Sequence, residues 1–175
     1  MLIPQAGGGF HTSFKLMENV YQVLDSLGIK YKKFEHQIVH TVKDADKLGL
    51  EITGGINKCL FLRNKKGDKH YLVLIRGSKR LDLKKLESLL GESRLSFASP
   101  ERMMRYLKIT PGSVSPFGLI NDLDKVVTMI IDSELLTQDE LALHPNINTQ
   151  TLVLKTEDFK KFLTWTGSRV LVLDL

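Results

Sequence analysis

Two segments rich in helix and strand breakers hold the residues best suited to chemistry. The first is Gly112-Ser113-Val114-Ser115-Pro116. Glycine and proline keep it irregular, so consecutive backbone N–H groups can converge on a developing oxyanion instead of joining a ladder. A plain connection fits the same pattern. The second is His144-Pro145-Asn146, an imidazole at a rigid turn after an apolar, helix-like stretch. Such a histidine serves either as a proton acceptor near neutral pH or as a hydrogen-bonding cap.

Other reactive residue types point less clearly. His36 and His40 are four apart, a metal-ligand spacing on a helix. The intervening Gln37-Ile38-Val39 does not read as helix, and no Glu or Cys joins them, so a metal site is not indicated. Cys59, the single cysteine, lies inside an apolar run, where a thiol behaves as a small core residue with a raised pKa. No serine stands in Gly-x-Ser-x-Gly, the strained hydrolase elbow. Gly7-Gly8-Gly9 is not followed by Gly-Lys-Ser/Thr, so it is no phosphate loop.

The elements that must position these loops are legible in outline. Ser13 opens a helix through Leu27 that Gly28 stops, and Tyr31 to His36 reads as a strand. Thr41 with Asp44 opens a short helix through Leu48. Cys59–Leu62 and Tyr71–Ile75 read as two strands joined by the turn Asn64-Lys65-Lys66-Gly67-Asp68. Their poor alternation predicts cover on both faces. Asp82 caps a helix closed by Gly91, and Ser99-Pro100 starts another. Val126–Ile131, Thr151–Leu154 and Val170–Leu173 read as strands, and Glu157–Trp165 as a helix. Hairpin-joined neighbours without strict βαβ alternation predict an α+β fold: one domain with a mixed, mostly antiparallel sheet flanked by helices.

Composition agrees. The 175 residues are 42% hydrophobic and 26% charged, enough for one packed core and too apolar for wholesale disorder. No apolar run approaches a membrane span of about 18 residues. One cysteine excludes a disulfide scaffold and points to a reducing, cytoplasmic home. Residues 1–12 read as a flexible lead-in and 13–175 as the domain. Basic residues exceed acidic ones by 25 to 20, and they fall in pairs: Lys32-Lys33, Lys65-Lys66, Lys79-Arg80, Lys84-Lys85 and Lys160-Lys161. Each pair alone fits a solvated face; together they suit phosphates. Few aromatics and no exposed recognition helix argue against a single-strand stacking platform and a DNA binder.

Four segments resemble, in order and spacing, the YbaK/ProX family, the prolyl-tRNA synthetase-associated editing domains. They are Lys58-Cys59-Leu60-Phe61-Leu62, Leu95-Ser96-Phe97-Ala98-Ser99, Gly112 to Asp122, and His144-Pro145-Asn146-Ile147-Asn148-Thr149. The similarity runs from about Leu16 to Leu175, and its free-standing alanyl-tRNA(Pro) deacylase branch fits best. It implies hydrolysis of the ester that joins a wrong amino acid to the 3′ end of tRNA(Pro), with no cofactor and no metal. The implied partners are that acceptor end and prolyl-tRNA synthetase. The implied catalytic residues are Lys58, Gly112, Ser113 and His144. The implied substrate-binding residues are Thr41, Val42, Cys59, Val114, Ser115, Pro116 and Asn146. Family members often carry Asn after the lysine where this chain has Cys59. Asn57, on the other side of Lys58, could replace that Asn only if the strand register differs. The resemblance also implies that the tRNA's own 2′-hydroxyl helps activate the water. Other small esters, Cys-tRNA(Pro) or Ser-tRNA, remain open as substrates, as does a tRNA- or synthetase-binding module without hydrolysis.

Overall fold

The computed structural model describes residues 19–38 and 53–175. The lead-in, the helix start at Ser13 and the short helix from Thr41 fall outside them. Asn19 caps α1 (Val20–Ser26) through a reciprocal box: its side chain accepts from Gln22 N at 2.9 Å, and Gln22 Oε1 accepts from Asn19 N at 3.1 Å. Val20, Val23 and Leu24 turn inward. β1 (Tyr31–Glu35) follows.

β2 (Asn57–Asn64) and β3 (His70–Arg76) form the expected antiparallel hairpin. Asn64 fixes the turn, its Oδ1 accepting from Gly67, Asp68 and Lys69 N–H at 2.9, 3.2 and 3.3 Å. Then come α2 (Leu83–Leu90), β4 (Leu95–Phe97), α3 (Pro100–Leu107), a 3₁₀ turn (Pro116–Asn121) and β5 (Val127–Asp132). A second 3₁₀ turn (Ser133–Thr137), β6 (Glu140–Leu143), β7 (Gln150–Lys155), α4 (Thr156–Thr166) and β8 (Val170–Leu173) complete the chain.

The single mixed sheet expected from sequence is two sheets, ordered β4-β2-β3-β5-β8 and β1-β7-β6. Antiparallel pairs predominate; β3–β5 and β5–β8 are parallel. Pleating divides the larger sheet between two cores. Phe61, Leu72, Leu74, Met129 and Ile131 face the main core, with the inner faces of β6 and β7, α1 and α4. Leu62, Val73, Ile75 and Ile130 face the second, closed by Leu86 of α2. Both faces of β2 and β3 are thus covered, which explains their near-continuous apolar runs.

Two strands depart from the sequence reading. β4 is too short to show a period. β6 sits where Leu141-Ala142-Leu143 reads as helix-like, because pairing with β7 overrides the helix preference of Leu and Ala. β6 also binds the sheets together. Ile56 bridges to Ala142, and a Cβ on Gly54, which has φ +83°, would lie 2.8 Å from the Glu140 carbonyl oxygen. Only glycine allows that approach. The start of β2 is thereby pressed against the strand that ends at Leu143, just before His144.

Candidate active site

The two breaker loops meet. Ser115 is buried, and its Oγ donates to the His144 carbonyl oxygen at 2.5 Å while accepting from Phe117 N–H at 3.2 Å. Gly112 adopts φ +87°, a left-handed conformation that favours glycine. The Asn148 side chain lies 3.6 Å from where its Cβ would be, ordinary contact, so the backbone angle rather than space calls for glycine. The 112–116 loop and the 144–149 loop form one wall.

The backbone donors of the 112–116 loop divide into paired and unpaired. Ser113 N–H closes a turn onto the Thr110 carbonyl at 3.1 Å. The N–H groups of Gly112, Val114 and Ser115 have no hydrogen-bond partner among the described residues. Pro116 carries no N–H and starts the 3₁₀ turn, where its fixed φ costs nothing. The expectation of a donor at every position from Gly112 to Ser115 is therefore corrected at Ser113, whose N–H the turn consumes. Its side chain is buried as well.

His144, whose backbone carbonyl holds Ser115, has a defined side-chain form. Nδ1 is 2.8 Å from the Gln150 carbonyl oxygen. A carbonyl only accepts, so Nδ1 carries the proton and Nε2 keeps its lone pair. Burial holds the imidazole pKa below its ordinary value, against the pull of the Gln150 carbonyl; the neighbouring His36 adds to the depression. The neutral ring can accept a proton or a hydrogen bond at Nε2. His36 stands edge-on at 5.9 Å, held by Thr151 Oγ1 at 3.0 Å and the Gln37 carbonyl at 2.8 Å. Sequence spacing set His36 beside His40, which lies outside the described residues; among the described residues the ring beside His36 is His144, far along the chain. Among the described residues, no group of three or more His, Cys, Asp or Glu is placed to hold a metal ion.

The remaining candidates divide. Asn146 takes a left-handed φ of +64°, and its buried Oδ1 has no partner. Val114 packs half-buried against the main core, as does Cys59, whose thiol pKa burial drives far up. Lys58 pairs with Ile75, which belongs to the second core, so it projects from the face opposite Cys59. Its Nζ donates to the Gly77 carbonyl at 3.0 Å. Asn57 shares the Cys59 face, and its amide binds the carbonyls of Gly54, Gly55 and Ala142 at 3.2–3.3 Å. Thr41 and Val42 lie outside the described residues. Sequence reasoning missed Asn148 and Gln150. Nothing in a polar loop residue announces which loop it will touch.

Residues 36–162 match the model of the aminoacyl-tRNA editing domain family. The chain is 41% identical over 152 residues to the prolyl-tRNA editing protein ProX of Acetoanaerobium sticklandii, covering 87% of this chain and 93% of that protein. It is 30% identical over 164 residues to the prolyl-tRNA synthetase associated domain-containing protein 1 of Mus musculus, covering 91% and 96%. A solved structure described as a candidate trans-editing enzyme for prolyl tRNA synthetase superposes with a TM-score of 0.64 at 27% identity, covering 88% of this chain and 93% of that one.

Proposed function

The chain belongs to the aminoacyl-tRNA editing domain family, and on that premise we propose that it is a trans-editing deacylase for Ala-tRNA(Pro). The observation that carries the reading is the juxtaposition of unoccupied N–H groups on Gly112, Val114 and Ser115 with a neutral imidazole on the adjoining loop.

The chemistry needs little more. An aminoacyl ester is already reactive, so catalysis reduces to placing a water and stabilising the tetrahedral oxyanion. The three N–H groups take the oxyanion. His144 Nε2 holds the water or the substrate's amino group, and the tRNA 2′-hydroxyl helps activate the water. Lys58 keeps two N–H donors beyond the one on Gly77, and its place on the far strand face favours the terminal phosphate over the ester carbonyl. Thr41, Val42, Val114 and Asn146 shape the pocket. Alanine as the substrate follows from selectivity: a prolyl pocket rejects a smaller residue by only about 1–3 kcal/mol per missing methylene, so errors with alanine need a second, smaller pocket. Prolyl-tRNA synthetase is the enzyme whose errors would be removed, and the cytoplasm is where the two would meet. No helix among the described residues is long and apolar enough to cross a membrane.

The deciding experiment is hydrolysis of Ala-tRNA(Pro), Cys-tRNA(Pro) and Pro-tRNA(Pro) by the wild type and by Lys58→Ala. Rapid loss of alanine alone, slowed strongly by the substitution, is the expected result. Loss of cysteine instead would keep the chemistry and change the pocket. Survival of all three esters while tRNA still binds would replace the enzyme with a binding module.

A further inference from the structure

The site accounts for the 3′ end of the RNA but not for the helical stem behind it. In four of the five basic pairs at least one member is ion-paired where it stands. Lys32 and Lys33 meet Glu140 and Glu35 at 3.5 and 2.8 Å. Lys79 meets Asp132 at 2.7 Å, Lys85 meets Asp174 at 3.7 Å, and Lys160 meets Glu157 at 2.7 Å. Lys65-Lys66, at the tip of the β2–β3 hairpin, is the pair with no such partner among the described residues.

That hairpin does not stand alone. Arg102 of α3 donates from Nη1 to the Gly67 carbonyl at 2.8 Å and contacts His70 Nε2 at 2.7 Å, clamping the turn to the helix. Arg63 braces the same turn through the Asn64 and Lys65 carbonyls, both at 3.1 Å. Arg105 follows one helical turn after Arg102, its guanidinium 5.2 Å from the Tyr106 ring centre, and Lys108 caps the helix in a left-handed conformation. None of Arg63, Arg102, Arg105 and Lys108 is ion-paired among the described residues. Three carboxylates lie by the hairpin turn and the helix start, and each is held locally: Asp68 by Asn64 Nδ2 at 2.7 Å, Glu92 by Lys69 at 2.9 Å and Tyr71 at 2.7 Å, and Glu101 by Ser99. The field of Arg102, Arg105 and Arg63 converges on buried His70, helping to hold it neutral.

We propose that the hairpin tip and α3 form a cationic platform for the phosphates of the tRNA acceptor stem, built from Arg63, Lys65, Lys66, Arg102, Arg105 and Lys108. Its position fits the need. Arg102 to Lys108 spans about 9 Å of helix, and Lys108 stands four residues before Gly112, at most about 14 Å of chain. The C-terminal end of the charged helix is therefore within about 14 Å of the candidate oxyanion loop, near enough for one acceptor stem to reach both. A platform of charges without base-reading groups binds A-form RNA by backbone and shape. The inference rests on the deacylase reading for its ligand.

The test uses the full chain with three charge-reversed forms: Arg105→Glu/Lys108→Glu, Lys65→Glu/Lys66→Glu, and Arg80→Glu/Lys84→Glu on another surface as the control. Binding of uncharged tRNA(Pro) is measured against salt. Deacylation is measured on Ala-tRNA(Pro) and on alanyl-CCA trinucleotide. The first two variants should raise KM for the tRNA at least tenfold, leave the trinucleotide reaction unchanged, and lower the salt slope by about 0.9 for each phosphate no longer neutralised. The control should do much less. Equal weakening by all three variants, or none by the first two, overturns the platform. Failure of the wild type to hydrolyse either ester while the platform variants still lose tRNA binding would overturn the deacylase reading and leave the surface standing.

Discussion

The hydroxyl of Ser115 donates to the backbone carbonyl of His144, tying the candidate oxyanion loop to the loop that carries the imidazole across 29 positions of chain. The bond makes Ser115 a clamp, since its other partner, Phe117 N–H, is also protein. Ser115→Ala leaves a buried carbonyl and a buried N–H without their partner, at a cost of about 1–3 kcal/mol. Urea denaturation should show that loss, and kcat on Ala-tRNA(Pro) should fall at least tenfold as the loops lose register. Wild-type kcat at reduced stability would mean the clamp does not position the site.

Gly112→Ala tests the backbone instead. The added methyl meets only ordinary contact at 3.6 Å, so the cost is the left-handed φ, about 1–3 kcal/mol for a non-glycine residue. The loop can escape the strain only by turning, which moves the Gly112 N–H. We expect a matching loss in denaturant midpoint and a fall in kcat larger than any rise in KM. A rise in KM alone would place the loop in binding rather than in oxyanion stabilisation.

His70 sets an acid limit on stability. Burial, then the charges of Arg102 and Arg105, lower its pKa to about 4, against 6.5 in the unfolded chain. The unfolded state therefore binds the extra proton first. Stability is unaffected above about pH 6.5, falls as the pH drops towards 4, and loses about 3 kcal/mol at most across that window. Denaturation midpoints at pH 7, 5.5 and 4 measure this. His70→Gln, which can still accept from Arg102, should flatten the profile; an unchanged acid slope would reassign it.

The same sign applies to His144, with a different readout. Its depressed pKa keeps Nε2 unprotonated somewhat below pH 6.5. Hydrolysis that depends on that lone pair should hold steady from about pH 7.5 to 6.5 and decline only below. A decline centred above pH 6.5 would contradict a buried, neutral His144.

Cys59 should be chemically silent. Its thiol is embedded against the main core and ionises far above neutral pH. Iodoacetamide at about pH 7.5 should leave native protein unlabelled and active, while protein in urea reacts readily. Rapid native labelling with loss of activity would make the thiol a reacting group after all.

Local pattern made much of this molecule legible. Asp82 and Ser99 cap their helices as their residue types predict. The Asn64–Asp68 turn joins an antiparallel pair, and apolar runs mark β2, β3, β5, β7 and β8. The irregular Gly112–Pro116 loop and the histidine beside Pro145 also stood out, because glycine and proline constrain their own backbone wherever they occur. The resemblance in four ordered segments carried the reading from loops to a reaction.

What sequence left undecided was long-range. The helix-like Leu141-Ala142-Leu143 became a strand because β7 and Ile56 were there to pair with it. One expected sheet became two because β1 found β7 across the chain. Which core Lys58 and Cys59 each turn towards was decided by their pairing with Ile75 and Leu74. His36 meets His144 for the same reason, a contact no spacing along the chain announces. Backbone preferences are written residue by residue; which faces and loops meet is settled only when the whole chain buries its apolar surface at once.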